Sequence, residues 1–346
     1  MHWDLFCRVI DNFGDIGVCW RLAADLGARG ETVRLWVDDP APLRWMAPQG
    51  AARVEVCTWT ADAPDAEPGD VVIEAFGCDP PPAFVARMAA RAPAPLWINL
   101  EYLSAEAYVQ RSHGLRSPQL SGPGNGLDKW FFYPGFGPGT GGLIREPALI
   151  EQRERFDGAA WLQARGWAPR PGERVLSLFC YPSAPLPSLL SDLGTQPTLL
   201  LATPGAAAAA AALVRPPLRC IQLPWLSQAD YDRLLWSCDL NFVRGEDSFV
   251  RAQWAGVPFV WQIYPQDDGA HAVKLQAFLD LLLAGRSDAF ATRLRALWCA
   301  WNGIGPWPLA WPEPGPWRAL AAGWCGGLAR QPDLATQLLG FVAEKR

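Results

Sequence analysis

Short apolar runs alternate with amphipathic stretches in both halves of the chain. In the first half, residues 18–27 have helical spacing, and the apolar runs cover residues 5–10, 32–37, 71–75 and 96–99. In the second half, the apolar runs cover residues 175–179, 198–202, 219–223, 239–243 and 257–263. Strands that alternate with helices favour right-handed crossovers and a largely parallel sheet. The pattern therefore predicts an α/β protein with two similar sets of strands.

The chain has 346 residues, which favours two domains. Residues 114–142 are rich in Gly, Pro and Ser, and their interleaved aromatic residues predict a long ordered loop. Pro169-Arg170-Pro171-Gly172 predicts a linker. We therefore expect an N-terminal domain over residues 1–168 and a C-terminal domain over residues 169–330. We expect the helix in residues 331–346 to pack back on the first domain.

Composition narrows the classes of function. The net charge of −5 comes without a basic run, which argues against nucleic acid as the main partner. The nine cysteines form no CxxC pair, so we expect reduced thiols in the cytoplasm and no zinc site or disulfide framework. Asp4 and Arg8 interrupt the first apolar run, so no signal peptide is expected, and no run is long enough to span a membrane.

Two other compositional features carry expectations of their own. Nineteen tryptophans are present, and most of them, such as Trp36, Trp97 and Trp261, are expected in the core. Trp225 lies near a predicted strand end, where it could stack on a ligand ring. The alanine run at residues 206–212 is expected to form an exposed helix that carries no chemistry.

A first acidic motif, Asp11-Asn12-Phe13-Gly14-Asp15, follows the first apolar run and opens a helix. Gly14 and Gly17 allow a tight turn there. In open α/β sheets, ligands bind beyond the carboxyl ends of the strands. One interpretation is structural, because Asp15 could cap the helix. The other is that two carboxylates hold a cation, a metal or a protonated nucleophile, although Asp-x-x-x-Asp alone is a weak magnesium signature.

A second motif, Arg244-Gly245-Glu246-Asp247-Ser248, follows residues 239–243 and opens a helix over residues 249–255. Helix amides, a serine hydroxyl and an arginine suit a diphosphate. Glu246 and Asp247 suit sugar or ribose hydroxyls, but they equally suit an acidic first turn that complements the helix dipole. Both interpretations stay open. A Walker lysine, a G-x-G-x-x-G fingerprint and a histidine triad are all missing, which argues against a P-loop or NAD enzyme.

Several long motifs resemble the EarP family, the arginine rhamnosyltransferases of bacterial elongation factor P. They are FCRVIDNFGDIGVCWRL at residues 6–22, DYDRLLW at 230–236 and DLNFVRGEDSFVRAQW at 239–254. SLFCY at residues 177–181, PGF at 134–136 and TGG at 140–142 are also similar. The resemblance spreads over most of the chain. One departure is Trp225, which stands where the family usually has Phe.

The resemblance implies a GT-B fold, with two Rossmann-like domains whose parallel sheets face a central cleft. It implies transfer of L-rhamnose from the co-substrate TDP-β-L-rhamnose to an arginine of elongation factor P, with inversion and without metal or cofactor. It makes Asp15 the general base, with Asp11 and Glu246 as the other acidic residues. The substrate-binding residues it implies are Phe13, Gly14, Gly17, Phe179, Tyr181, Trp225, Gln228, Arg244, Gly245, Asp247, Ser248 and Tyr264.

Two alternatives remain at this point. One is a GT-B glycosyltransferase that uses another nucleotide sugar and another acceptor. The other is an inactive protein that binds the translation factor. The presence of all three acidic residues, Asp11, Asp15 and Glu246, argues against the inactive protein.

Overall fold

The computed structural model of the chain describes residues 1–10, 13–60, 66–266 and 269–346. In chain order the elements are β1 His2–Cys7, α1 Gly14–Ala28, β2 Thr32–Val37, α2 Leu43–Met46, β3 Val54–Thr58, β4 Val71–Ala75, α3 Pro82–Ala90, β5 Leu96–Leu100, α4 Tyr108–Ser112, β6 Arg116–Pro118, β7 Asp128–Phe132, α5 Leu149–Glu154, α6 Gly158–Ala164, β8 Arg174–Leu178, α7 Leu186–Leu193, β9 Thr198–Ala202, α8 Pro204–Leu213, β10 Leu218–Gln222, α9 Gln228–Trp236, β11 Leu240–Arg244, α10 Asp247–Ala255, β12 Phe259–Gln262, α11 Ala270–Leu282, α12 Ala289–Trp301, α13 Pro314–Ala329 and α14 Leu334–Lys345.

Contacts divide the chain into two compact units. Unit 1 comprises Met1–Pro147 and Gln331–Arg346, and unit 2 comprises Ala148–Arg330. The division falls at Pro147, earlier than the boundary expected near residue 168. The reason is packing, because Leu162 and Trp167 belong to the same buried cluster as the unit 2 strands β8 and β9.

Unit 1 contains a sheet with the strand order β3-β2-β1-β4-β5-β7-β6. All neighbouring pairs are parallel except β6 with β7. The prediction of a long loop over residues 114–142 is therefore wrong, since β6 and β7 lie within it. Ile98 of β5 is aligned with Trp130 of β7, so the aromatic residues that suggested order form a strand. Flanking Gly and Pro residues hid that strand in the sequence pattern.

The last helix, α14, packs on the core of unit 1. Leu334, Leu338 and Val342 are buried in the same cluster as residues of β1 and α1. A polar network fixes the start of the helix, since the Arg29 guanidinium donates to Asp25 at 2.8 Å and to Asp333 at 2.8 Å. Unit 1 is therefore completed by a segment that follows unit 2 in the sequence.

Unit 2 contains a fully parallel sheet with the order β10-β9-β8-β11-β12. The first five strands of each unit thus share the order 3-2-1-4-5, which is that of Rossmann-like folds. The alanine helix α8 is not simply exposed, because Ala206, Ala207 and Ala210 are buried. Alanine permits this close packing of α8 beside β9 and β10, which the sequence prediction overlooked.

Tryptophans and cysteines lie largely where the composition predicts. Trp36, Trp97 and Trp261 are buried, which confirms their place in the core. All nine cysteines are free thiols, and six of them are buried. Across the described ranges, none of the helices is long and apolar enough to cross a membrane.

Candidate active site

Each sheet reverses its strand order between its first and fourth strands. This happens between β1 and β4 in unit 1 and between β8 and β11 in unit 2. The carboxyl ends of strands at such a switch point form the usual ligand crevice of open α/β sheets. The first acidic motif follows β1, and the second begins at the last residue of β11. The described residues of the first motif, 13–15, and the whole second motif therefore lie at the position in their own unit where a ligand is expected.

In unit 1, Asp15 lies in the first turn of α1 and is only 3% exposed. Its Oδ2 accepts a hydrogen bond of 2.8 Å from the backbone N–H of Ile10. The residue at the N-cap of α1 is Phe13, and its side chain makes no capping bond. Asp15 is thus not the N-cap residue, and its carboxylate is oriented by the segment that leaves β1.

The other residues of the first motif build the turn around Asp15. The Phe13 ring packs edge-on against Trp45, with ring centroids 5.2 Å apart. The helix begins at Gly14, and the N–H of Gly17 donates to the Phe13 carbonyl at 3.0 Å. Asp11, expected to pair with Asp15, lies outside the described residues.

Tyr102, which sequence reasoning missed, lies beside Asp15. The two residues come together because Tyr102 follows β5, and its hydroxyl lies 3.5 Å from Oδ1 of Asp15. The Tyr102 ring stacks on Phe76 with centroids 4.2 Å apart, and Phe76 itself has a φ of +58°. The position of Tyr102 just after a predicted strand was the signal that could have identified it.

In unit 2, the Arg244 guanidinium lies between two aromatic rings. Its central carbon is 4.3 Å from the centroid of Phe179 and 4.5 Å from that of Tyr181. One guanidinium N–H also donates to the Cys180 carbonyl at 3.2 Å. Since residues 179–181 follow β8 and Arg244 ends β11, the switch point brings these predicted residues together. Stacked guanidinium groups are held in a fixed plane, which suits bidentate binding of phosphate.

The turn from β11 into α10 is closed by hydrogen bonds. The Ser248 hydroxyl accepts from the backbone N–H of Arg244 at 3.2 Å and donates to the carbonyl of the same residue. Gly245 has a φ of +63°, a conformation that favours glycine, and its carbonyl accepts from the Trp261 indole at 2.8 Å. The N-terminal amides of α10 therefore start at a rigid turn beside Arg244.

The remaining predicted residues of unit 2 differ in how closely they relate to this turn. Gln228 begins α9 and donates to Asp247 over 3.4 Å. Glu246 is the N-cap residue of α10, and its side chain makes no capping bond. Tyr264 contacts Tyr181 edge-on at 5.7 Å, and it remains 43% exposed. Trp225 is 48% exposed.

Two further polar groups border the second motif. Tyr231 lies edge-on to Phe179 with centroids 6.0 Å apart, and burial raises the pKa of its hydroxyl well above the ordinary value. Burial likewise raises the pKa of the Cys180 thiol to about 12, so that thiol is neutral and a poor nucleophile at neutral pH. Within the ranges that the structure describes, no group of three or more His, Cys, Asp or Glu side chains is arranged around a metal position.

Comparison with known proteins identifies the family of this chain. The family described as elongation factor P (EF-P) rhamnosyltransferase EarP matches residues 3–343. A protein-arginine rhamnosyltransferase of Pseudomonas aeruginosa is 44% identical to this chain, and the match covers 99% of both chains. A protein of the same name in Pseudomonas putida is 46% identical to this chain, over 98% of both. A relative of the same name in Neisseria meningitidis is 37% identical over 98% of this chain and 96% of its own.

Solved structures agree on the fold. A structure that explains EarP-mediated arginine glycosylation of translation elongation factor EF-P matches with a TM-score of 0.66 and 32% identity, over 100% of this chain and 99% of its own. The glycosyltransferase SsfS6 of Streptomyces, solved with thymidine diphosphate, shares the fold with a TM-score of 0.53 and 12% identity, over 99% of both chains. The chain is therefore a glycosyltransferase of GT-B fold that belongs to the EarP family of elongation factor P arginine rhamnosyltransferases.

Proposed function

We propose that this protein transfers L-rhamnose from TDP-β-L-rhamnose to an arginine side chain of elongation factor P, with inversion at the anomeric carbon. The observation that supports this most directly is the switch point of unit 2, where Arg244 is held between two rings beside the start of α10. That arrangement suits a nucleoside diphosphate, and it lies in a chain that matches the family from residue 3 to residue 343.

The acceptor poses the harder chemical problem. A guanidinium has a pKa above about 12 and an aspartate one near 4, so full deprotonation before attack would cost roughly 11 kcal/mol. Carboxylates reduce this barrier by binding the guanidinium in bidentate geometry and localising its charge. The acceptor nitrogen then loses its proton as the N–C bond forms, when its acidity rises.

We assign the proton transfer to Asp15. Its carboxylate is buried, and the Ile10 N–H holds it in a fixed orientation at the start of α1. A preorientated base needs little rearrangement in the transition state. Asp11 would help to hold the acceptor guanidinium, and Glu246 is the third acidic residue of the proposed site. Phe13, Gly14 and Gly17 shape the turn that presents Asp15.

The donor side stabilises the leaving group. Arg244, the Ser248 hydroxyl and the first amides of α10 would bind the diphosphate, whose charge grows as the glycosidic bond breaks. Asp247 and Gln228 would bind hydroxyl or N–H groups of the donor, and the exposed rings of Trp225 and Tyr264 would contact thymine. Cationic and dipolar groups of this kind take the part that a metal plays in other transferases, so we propose a reaction that needs no metal or cofactor.

Intact-mass spectrometry of elongation factor P, after incubation with this protein and TDP-rhamnose, tests the proposal. We expect a gain of one deoxyhexose, which persists with EDTA and disappears when the acceptor arginine is replaced by lysine. A gain from another nucleotide sugar in place of TDP-rhamnose would correct the donor. Binding of the factor without any transfer would support an inactive factor-binding protein instead.

A further inference from the structure

A buried ion pair joins the two helices that border the proposed donor site. The Arg251 Nε donates to one Asp232 oxygen at 2.9 Å, and a terminal guanidinium N–H donates to the other oxygen at 2.7 Å. Arg251 is 2% exposed and Asp232 is 5% exposed. The two side chains therefore form a bidentate ion pair that is shielded from water. Its planar geometry holds both carboxylate oxygens and, through them, the two helices.

The pair lies one helical turn away from two residues assigned to the donor. On α9, Asp232 follows Gln228 by four residues, and on α10, Arg251 follows Asp247 by four. Residues four apart lie on the same face of a helix, about 6 Å apart along its axis. The two helices thus meet at two successive levels, an inner one made by the ion pair and an outer one made by Gln228 and Asp247.

The two levels differ in strength. The outer contact, from Gln228 to Asp247, spans 3.4 Å and is at the long end for a hydrogen bond. The inner contact is short, charged and bidentate. The outer level therefore depends on the inner one for the relative position of the helix ends.

Stability alone does not account for the inner pair. Desolvation offsets most of the attraction between buried ions, and apolar residues of similar volume often stabilise a protein as well or better. What an apolar contact does not supply is direction, whereas a bidentate pair fixes the alignment of its two partners. A buried pair next to a binding edge is thus well suited to fix register.

We propose that the Asp232–Arg251 pair is a positioning device for the donor site. It holds α9 and α10 in the register that brings Gln228 and Asp247 together at the edge where the nucleotide sugar binds. This inference rests on the proposed donor site in unit 2. Asp232 and Arg251 are positioning residues, since they act through Gln228 and Asp247 rather than on the donor.

The test separates position from stability with a double variant. Single substitutions leave a buried charge unpaired and are expected to unfold the protein partly. Asp232→Leu combined with Arg251→Met replaces the pair with apolar side chains, and we expect its melting temperature to stay near that of the parent protein. The matched control is Glu173→Leu with Arg219→Met, which removes another bidentate pair of unit 2, with distances of 2.9 and 2.7 Å.

Calorimetric titration with TDP and donor-dependent turnover give the readout. We expect the double variant to bind TDP-rhamnose and TDP about tenfold or more weakly, and to raise the KM for donor while kcat at saturating donor stays near the parent value. The control variant should match the parent protein in donor affinity and in KM for the donor. A role in stability alone would move the melting temperature and leave the KM unchanged.

Each outcome decides the question. Parent-like donor affinity in a folded double variant would overturn the inference and leave the proposed function intact. Failure of the parent protein to bind TDP would instead overturn the donor site, and the inference with it. If the double variant does not fold, donor affinity is compared between Arg251→Lys and the parent protein instead, because lysine keeps the charge but loses the planar fork.

Discussion

Replacing Asp15 by asparagine removes the proposed base with little change in shape. The carboxamide oxygen of Asn can still accept the hydrogen bond from the Ile10 N–H, which the Asp15 carboxylate accepts at 2.8 Å. Replacing the charged acceptor of this hydrogen bond by a neutral one should cost roughly 1 kcal/mol of folding stability. Loss of a general base costs about 10²–10⁴-fold in rate, or about 2.7–5.5 kcal/mol of transition-state stabilisation. Turnover should therefore fall far more than stability does.

The assay is rhamnosylation of elongation factor P by intact mass, together with calorimetric titration of TDP and a melting curve. Asp38→Asn is the matched control, because Asp38 accepts a bond of 3.0 Å from the N–H of Val9, the residue before Ile10. We expect the control to keep turnover and Asp15→Asn to lose it, with TDP affinity unchanged in both. An Asp15→Asn variant that retains more than about a tenth of the parent rate would refute the assignment of the base.

Three further predictions follow from described contacts. Arg244→Lys should weaken TDP binding about tenfold, as titration calorimetry would show, because an ammonium cannot stack between rings or bind phosphate in bidentate fashion. Asp70→Asn should lower the melting temperature at pH 7, and the difference should shrink as the pH falls below about 4. The backbone N–H of His2, together with Arg91, lowers the pKa of the Asp70 carboxyl, so its stabilisation is present above about pH 4 and is lost as the pH falls through the lowered value. Leu338→Ala should cost about 2–5 kcal/mol of unfolding free energy in denaturant titrations, because that side chain is fully buried.

Each of these predictions has a control and a contradicting result. Arg286→Lys, at an exposed surface ion pair, should leave TDP affinity unchanged, and equal affinity in Arg244→Lys would remove the stacked guanidinium from the donor site. A melting difference for Asp70→Asn that does not shrink as the pH falls below about 4 would show that the charge of Asp70 is not the cause. Leu309→Ala, at a fully exposed side chain, should be neutral, and an equally neutral Leu338→Ala would contradict the packing of α14.

The sequence predicts best those strands that are buried on both faces. The bounds of β2, β4 and β9 agree with the apolar runs, because a strand covered by helices is largely apolar along its length. The strand β3 was missed because it lies at the edge of its sheet and its residues are largely exposed. The strand β7 was missed because glycine and proline surround it. The apolar pattern thus reports burial rather than position in the sheet, since the buried edge strand β12 was found and the exposed edge strand β3 was not.

The candidate site shows the same division. The second motif was found because its residues follow one another directly after a strand. Tyr102 carries no such motif, and its position beside Asp15 arises only when β5 is placed in the sheet. The Asp232–Arg251 pair was likewise invisible, since both residues appear in the sequence as ordinary charges on helix faces. Contacts between residues of different elements can be recognised only once the fold is known.

The position of α14 has a consequence for synthesis on the ribosome. Unit 2 is one continuous segment, Ala148–Arg330, whereas the core of unit 1 includes Leu338 and Val342 near the end of the chain. At about 5–20 residues per second, translation of unit 2 takes on the order of ten seconds or more. During that time the nascent unit 1 exposes the apolar surface that α14 later covers. The core of unit 1 can therefore be completed only after unit 2 has been synthesised and α14 has followed it out of the exit tunnel.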